Sequence, residues 1–381
     1  MTDPLLGPCS PLVPPLYQSS VYNFPDLDAL DRVMNGAEPG FIYSRDGHPN
    51  AASLAAKLSQ LEAARWTIVC GSGMAALSAC FLGTLSAGDR VIASESLYGR
   101  TTKLLREELN RFGVKTTSVN VSDLEAVRKA FAEPARVLYA ETMSNPLCRT
   151  PDLPKLAEIA HAHRAKLVVD NTFATPVLVR PLEQGADLVM ESLTKMIGGH
   201  SDLSLGSVSG NDPALVASIS QIVSTWGLAA HPFDCWMCER GLATLELRVQ
   251  ASCANAAQLA DWLPRQAQVS RVIYPGREDH PDHTVARRIL GQGFGSMLCF
   301  ELKGGREAVN RFMRQATGIP FSPSLGHVAT TISHPETTSH RYESPGEKLR
   351  QGITDGLIRM SVGVERFERI RDEIANGLSL V

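Results

Sequence analysis

The strongest constraint on how this chain folds is an alternation that runs from about residue 50 to residue 190. ASLAAKLSQLEAA carries apolar residues at helical spacing, whereas WTIVC and DRVIAS read as short buried strands separated by the helical AALSACFLGTL. TTKLLREELNRFG and VKTTSVN, then LEAVRKAFA and ARVLYAE, then PKLAEIAHAHRA with KLVVDN and ADLVMES continue the series. Parallel strands need a crossover of a dozen or more residues, usually a helix, so this order predicts an α/β fold with a large, mostly parallel sheet. Ligands of such sheets gather beyond the strand ends. GSGMAA, DNTFATP and ESLTK all fall at such ends.

The pattern changes near residue 236, where GLATLELRVQASCANAAQLADWL reads as a long helix leading into a second, smaller α+β domain. FGSMLCFEL and LIRMSVGV are its strand candidates. The expected division is an N-terminal arm over 1–49, a large domain over 50–235 and a C-terminal domain over 236–381. A chain of 381 residues has length enough for two cores. RYESPGEKLRQG is polar and turn-rich and reads as a surface connection.

Composition narrows the functional classes. With 44% hydrophobic and 20% charged residues and a formal charge of -3, the chain reads as a soluble globular protein. Its 37 basic residues are matched by 40 acidic ones with no long basic block, which argues against nucleic acid as a partner. No apolar run is long enough to cross a bilayer. MTDPLLGPCSPLVPPLYQSS lacks the basic head and sustained apolar core of a secretory signal, so a cytoplasmic location is the expectation. Its prolines favour an extended arm that becomes ordered by packing, in an oligomer on a neighbouring subunit. The 8 cysteines do not outline a disulfide framework. Cys235 and Cys238 form a CxxC inside a helical pattern, and with no further ligands spaced nearby they read as packing residues; redox chemistry is the lesser reading.

Chemistry-bearing residues converge on the strand ends. In ESLTKMIGGHSD, Lys195 stands just past an apolar run, between small hydroxyl residues and a glycine pair. A solvated lysine would also fit that stretch taken alone. GSGM at 71–74 opens a helical segment whose first N–H groups suit a phosphate, although a tight turn uses the same glycines and the GxGxxG spacing is absent. Asp170 ends a strand, where a carboxylate holds a cationic ring nitrogen or caps a helix. Ser192 and Thr194 offer hydroxyls to a phosphate or to local backbone.

From PPLYQSSVYNF and YSRDGHPN through SGMAA, ESLYGRT, ETMSNP, VVDNTFATP, SLTKMIGGHSD, RGLATLELR, SPSLG and SHPETTSH to RMSVGVE, the sequence resembles the pyridoxal-phosphate-dependent trans-sulfuration family, the cysteine and methionine metabolism enzymes. The resemblance implies a fold-type I enzyme using pyridoxal 5'-phosphate. It makes Lys195 the lysine that carries the cofactor as a Schiff base and abstracts the substrate proton, and Asp170 the partner of the ring nitrogen. Gly73, Met74, Ser192 and Thr194 would hold the phosphate, with Tyr43 and Arg45 reaching it from an adjacent subunit. Tyr98 would cover the ring and assist proton transfer, and Asn145 would contact cofactor or substrate. Arg359 would clamp the substrate α-carboxylate, supported by Ser324. The family's usual assembly is a homotetramer, a dimer of active-site-sharing dimers.

The implied reaction is elimination or replacement at Cβ or Cγ of a small sulfur amino acid. Lys103, five residues after Tyr98, matches a position often basic in cystathionine-processing relatives, and Arg100 adds a second cation. These favour a cystathionine lyase of the γ type, yielding cysteine, 2-oxobutanoate and ammonia. Ala329, where many γ-enzymes carry glutamate, weakens that assignment and could widen the pocket, and His327 also departs from the pattern. Cystathionine γ-synthase, O-acetylhomoserine sulfhydrylase, cystathionine β-lyase and methionine γ-lyase remain alternatives; outside the class stand an aminotransferase and a noncatalytic oligomeric protein.

Overall fold

A computed structural model describes residues 9–381. Strands β1 (Trp66–Cys70), β2 (Arg90–Ser94), β3 (Lys115–Val119), β4 (Val137–Glu141), β5 (Lys166–Asp170), β6 (Leu188–Glu191) and β7 (Gly206–Gly210) form one sheet in the order β1-β7-β6-β5-β4-β2-β3. β3, β2, β4, β5 and β6 run parallel, while β7 is antiparallel to both β6 and β1. β2, β4 and β6 are buried along their whole length, the signature of a sheet covered on both faces. β3 shows only Val119 buried, as suits the edge.

β7 reads GSVSG and carries no apolar run that would announce a strand. Its small residues have a steric cause: a Cβ on Gly206 would lie 2.7 Å from the Cα of Gly73, where the helix Gly73–Thr84 begins. That helix is therefore seated directly on the sheet.

The second sheet is wholly antiparallel, with β8 (Val269–Ile273), β9 (Met297–Leu302), β10 (Thr331–Ser333) and β11 (Leu357–Ser361) in the order β10-β11-β9-β8. The long helix expected over 241–263 is Leu245–Trp262, and a separate helix, Pro232–Leu242, precedes it, with the break at Ala243 and Thr244. Leu245, Val249 and Cys253 of the second helix enter the core of the large sheet, while Ala256, Leu259 and Ala260 enter the core of the small one. Cys235 and Cys238 are fully buried, and burial pushes the Cys235 thiol up to about 12 and the Cys238 thiol higher still, which leaves them inert packing residues.

The arm runs over the surface. Asn50 accepts from the Tyr17 N–H at 2.9 Å and donates to the Pro15 carbonyl at 2.8 Å, and the Trp236 indole donates to Pro14 at 2.9 Å. Leu12, Val13, Leu16 and Tyr17 stay exposed. The first eight residues of the expected arm lie outside the described residues. Among the described residues no helix is long and apolar enough to cross a membrane, and no cluster of metal-ligating side chains occurs.

Candidate active site

Five strands of the large sheet deliver their carboxyl ends to one edge, and a cleft of about 970 Å³ opens there. Ser72 follows β1, Tyr98 lies beyond β2, Asn145 beyond β4, Asp170 ends β5, and Ser192, Thr194 and Lys195 follow β6; all line the cleft. From the small sheet, Arg359 of β11 reaches in beside Ser324. The cleft thus sits at the strand ends that the alternation predicts, closed by the second sheet.

Lys195 follows β6 and its amine donates to the Ser324 hydroxyl at 3.0 Å. Burial, helped by the nearby Arg359 cation, lowers its pKa from the usual lysine value and so favours the neutral amine. The backbone around it is tightly built. A Cβ on Gly326, which stands at φ +79, would meet the Lys195 Cα at 3.0 Å. The Arg248 guanidinium donates to the carbonyls of Met196 at 2.6 Å, Ile197 at 2.9 Å and Gly241 at 2.7 Å. The turn carrying the lysine is thereby fixed from both sides.

Asp170 accepts from the Thr172 N–H at 2.9 Å, and burial raises its pKa above the usual carboxylate range. A cation placed against it would restore the ionised form. Ser72 caps the helix Gly73–Thr84, its hydroxyl accepting from the Ala75 N–H at 3.0 Å. A Cβ on Gly73 would lie 2.7 Å from both Cβ and Oγ of Ser192, so glycine is what allows the helix start, Met74 and Ser192 to converge. The Ser192 N–H is held by the Thr172 hydroxyl at 2.8 Å. The Thr194 hydroxyl bridges the Leu205 carbonyl and N–H, at 3.1 Å each, which is a backbone-bracing use within this chain.

Arg359 is almost fully buried, donating from Nη1 to Asn145 Oδ1 at 2.8 Å and from Nη2 to the Ser324 carbonyl at 3.1 Å. Burial lowers its pKa, yet a guanidinium stays charged at any neutral pH. A buried cation without a carboxylate partner is costly, and an anion entering the cleft would relieve that cost.

Glu141, which the ETMSNP motif contains but which sequence reasoning passed over, is a missed organiser. Its carboxylate accepts from the Tyr98 N–H at 2.8 Å and from the Asn145 N–H at 3.1 Å. Thr172 was missed likewise, although an Asx-type turn after Asp170 is legible in DNTF.

RYESPGEKLRQG is largely exposed, as expected of a surface connection, but it also shapes the cleft. It contains the capped helix Pro345–Arg350, and Tyr342, Glu343 and Glu347 line the cleft mouth. Arg106 reaches Glu347 at 3.4 Å, and the Arg100 guanidinium sits 5.9 Å from the Tyr342 ring centre. Lys103 lies at this mouth too, 3.6 Å from Glu107. Four residues stand apart from the cleft lining. Tyr43 and Arg45 are exposed outside it, with Arg45 over the Tyr43 ring at 4.9 Å. His327 meets Ser201 at 3.2 Å, and neither it nor Ala329 lines the cleft, so within this chain Ala329 does not widen it.

Comparison with known proteins accords with this arrangement. The sequence model of the family described as Cys/Met metabolism PLP-dependent enzyme matches residues 8–379. The chain is 38% identical to an O-succinylhomoserine sulfhydrylase of Pseudomonas aeruginosa, over 96% of this chain and 90% of that protein. It is also 38% identical to an L-methionine gamma-lyase of Pseudomonas putida, over 96% and 92%. Among solved structures, cystathionine gamma synthase from Xanthomonas oryzae pv. oryzae in complex with cystathionine superposes with a TM-score of 0.91 at 33% identity, covering 96% of this chain and 92% of that one. Full-length agreement in sequence and backbone, joined to a lysine, a carboxylate and a helix start gathered at the strand ends, makes this chain a member of the trans-sulfuration family of PLP-dependent enzymes acting on sulfur amino acids.

Proposed function

We propose that the protein binds pyridoxal 5'-phosphate at Lys195 and cleaves a sulfur amino acid that carries a second, distal carboxylate, with γ-cleavage of cystathionine as the reading best supported. The observation that carries it is a buried, pKa-lowered lysine amine within one cleft with Asp170 and Arg359, which has no carboxylate partner among the described residues. The donor set fits this cofactor. Gly73, Met74 and Ser192 would hold the phosphate at a helix start, joined by Thr194 once its hydroxyl turns from the Leu205 carbonyl, with Asp170 holding the ring nitrogen and Lys195 the aldehyde carbon. When bound, the group supplies an electron sink that stabilises negative charge at the substrate Cα.

The chain's own side chains do the rest. Arg359, oriented by Asn145 and the Ser324 carbonyl, binds the α-carboxylate and so fixes which substrate proton faces Lys195. The amine of Lys195 takes the Cα proton; where the leaving group is on Cγ it would first hand that proton on to the bound group, and only then, neutral again, take one from Cβ. Tyr98, which lines the same cleft, is the residue assigned to protonate the departing sulfur. Cystathionine and water then give cysteine, 2-oxobutanoate and ammonia.

The distal carboxylate is supported by the charge of the mouth, where Arg100, Lys103, Arg106 and Arg341 stand against Glu107, Glu343 and Glu347. The Lys103–Glu107 pair is exposed, and such i,i+4 pairs are worth only about 0.3–0.5 kcal/mol, so a substrate carboxylate displaces Glu107 readily. The same mouth supports a second reading, replacement of succinate by sulfide on O-succinylhomoserine, the substrate in the name of the Pseudomonas aeruginosa relative. The exposed apolar arm bearing Tyr43 and Arg45 supports a shared-site dimer, and a tetramer of such dimers, in which these two residues reach the partner's phosphate.

Product analysis with cystathionine tests the reading. Cysteine with 2-oxobutanoate is the expected outcome. Homocysteine with pyruvate would replace it by β-cleavage, and turnover only with O-succinylhomoserine and sulfide would install the second reading. Conversion of an added keto acid to an amino acid without loss of ammonia or thiol would mark an aminotransferase and overturn both.

A further inference from the structure

Asn145 follows a strand of the large sheet and Arg359 lies on a strand of the small one, so the bond between their side chains holds only while the two backbones keep their spacing. The loop that carries Asn145 is closed on itself, the Ser144 N–H donating to the Arg149 carbonyl at 2.9 Å and the Cys148 N–H to the Ser144 carbonyl at 2.8 Å. Its far end is tied to Asp282 through Arg149 at 3.0 Å. The Asn145 end meets β9 through the carbonyl of Pro146, the next residue in the chain.

Pro146 is buried, and among the described residues only thiols reach its carbonyl oxygen, Cys299 Sγ at 3.1 Å and Cys148 Sγ at 3.7 Å. A carbonyl only accepts, so the proton in each bond is the thiol's. Cys148 has a second carbonyl, that of Met297, at 3.6 Å and one proton to divide between the two, which leaves Cys299 as the dedicated donor. Burial pushes the fully buried Cys299 thiol up to about 12, so its proton is in place at neutral pH. Cys299 stands on β9 directly opposite Arg359 of β11, and residues so paired in an antiparallel ladder point to the same face. The contacts form a closed circuit. The Arg359 side chain holds Asn145, Asn145 continues into Pro146, the Pro146 carbonyl holds the Cys299 thiol, and Cys299 returns to Arg359 across the ladder.

We infer that Cys299 is a positioning residue: its thiol proton on the Pro146 carbonyl fixes the Asn145 loop against β9 and β11, so that Arg359 is presented to a carboxylate in one orientation. This rests on Arg359 as the carboxylate clamp. A thiol that only fills the core needs its volume alone, whereas the assignment needs its donor.

The experiment compares Cys299→Ser, a stronger donor on a shorter arm, with Cys299→Val, which fills the space without a donor. The Kd of glycine is read on holoenzyme from the change in cofactor absorbance, alongside the melting temperature. Glycine carries an α-carboxylate and no leaving group, so it reports on Arg359 whichever reaction the cleft performs. The Val variant should bind glycine about fivefold more weakly and the Ser variant within about twofold of wild type, the size of one modest hydrogen bond. An unchanged glycine Kd in the Val variant, whatever its melting temperature, would mark the thiol as packing and overturn the assignment, and so would equal losses in the two variants. Wild-type holoenzyme that binds no glycine would instead overturn the clamp reading of Arg359, and this assignment with it. If the Val variant does not fold, Cys299→Ala removes the same donor without added bulk. A severalfold rise in glycine Kd is again expected there, and a wild-type value overturns the assignment.

Discussion

Gly73→Ala adds one methyl group at the tightest point of the proposed phosphate site. Its Cβ would stand 2.7 Å from both Cβ and Oγ of Ser192 and 3.2 Å from the Ser192 Cα. Carbon atoms in contact sit about 3.5–4.0 Å apart, so the overlap with the Ser192 Cβ is roughly 0.8 Å or more. The Ser192 Oγ can rotate away, but its Cβ is fixed to a backbone held by the Thr172 hydroxyl at 2.8 Å. Either the helix start or the Ser192 backbone must shift, at the roughly 1–3 kcal/mol typical of overpacking. Alanine recovers at most about 1 kcal/mol over glycine in a helix interior, and less at this first helical position. A net loss of about 1–2 kcal/mol remains, placed where helix and Ser192 converge. Since each 1.4 kcal/mol is about tenfold in affinity, the Kd of pyridoxal 5'-phosphate should rise about tenfold or somewhat more. Absorbance titration of the apo-protein with the cofactor measures this. A variant that binds the cofactor like wild type and melts at the same temperature would refute the reasoning.

Two further outcomes follow from other parts of the molecule. Glu62 and Glu191 are fully buried, and none of their four carboxylate oxygens has a hydrogen-bond donor among the described residues; burial pushes Glu62 up to about 7 and Glu191 well above the usual range. The folded state then holds more protons than the unfolded one between the ordinary carboxylate range and about neutral pH, so stability falls as pH rises through that window. Glu191→Gln removes one charge and supplies Glu62 with a donor. Its melting temperature should drop less than that of wild type between about pH 5.5 and about pH 8, and an equal or steeper drop would contradict the assignment. If the arm completes the partner's site, subunits carrying Lys195→Ala and subunits carrying Arg45→Ala should regain activity when refolded together, because a mixed dimer contains one site with both native residues; no gain over the separate variants would count against sharing.

The sequence discloses what depends on local periodicity. β2, β4, β5 and β6 are apolar runs because the sheet is covered on both faces, and the residues that follow them carry their chemistry in short motifs. What escaped depends on neighbours distant in the chain. β7 is made of small residues because the helix at Gly73 is seated on it, a fact that no window around GSVSG contains. Glu141 looks like an ordinary strand end until Tyr98 and Asn145 are brought to its two oxygens. Arg248 reads as one charge on a long helix, yet its fork closes on the Met196 and Ile197 carbonyls of the turn after Lys195 and joins them to Gly241 of a neighbouring helix. The 341–350 segment reads as solvent-facing because it is polar, and that polarity belongs to the mouth of a charged cleft.

Borohydride reduction of the cofactor-loaded protein, followed by peptide mapping, tests the central claim most directly. The account predicts one peptide, containing residue 195, that carries a reduced pyridoxyl phosphate on the lysine. An unmodified Lys195, or a label confined to another lysine, would contradict it.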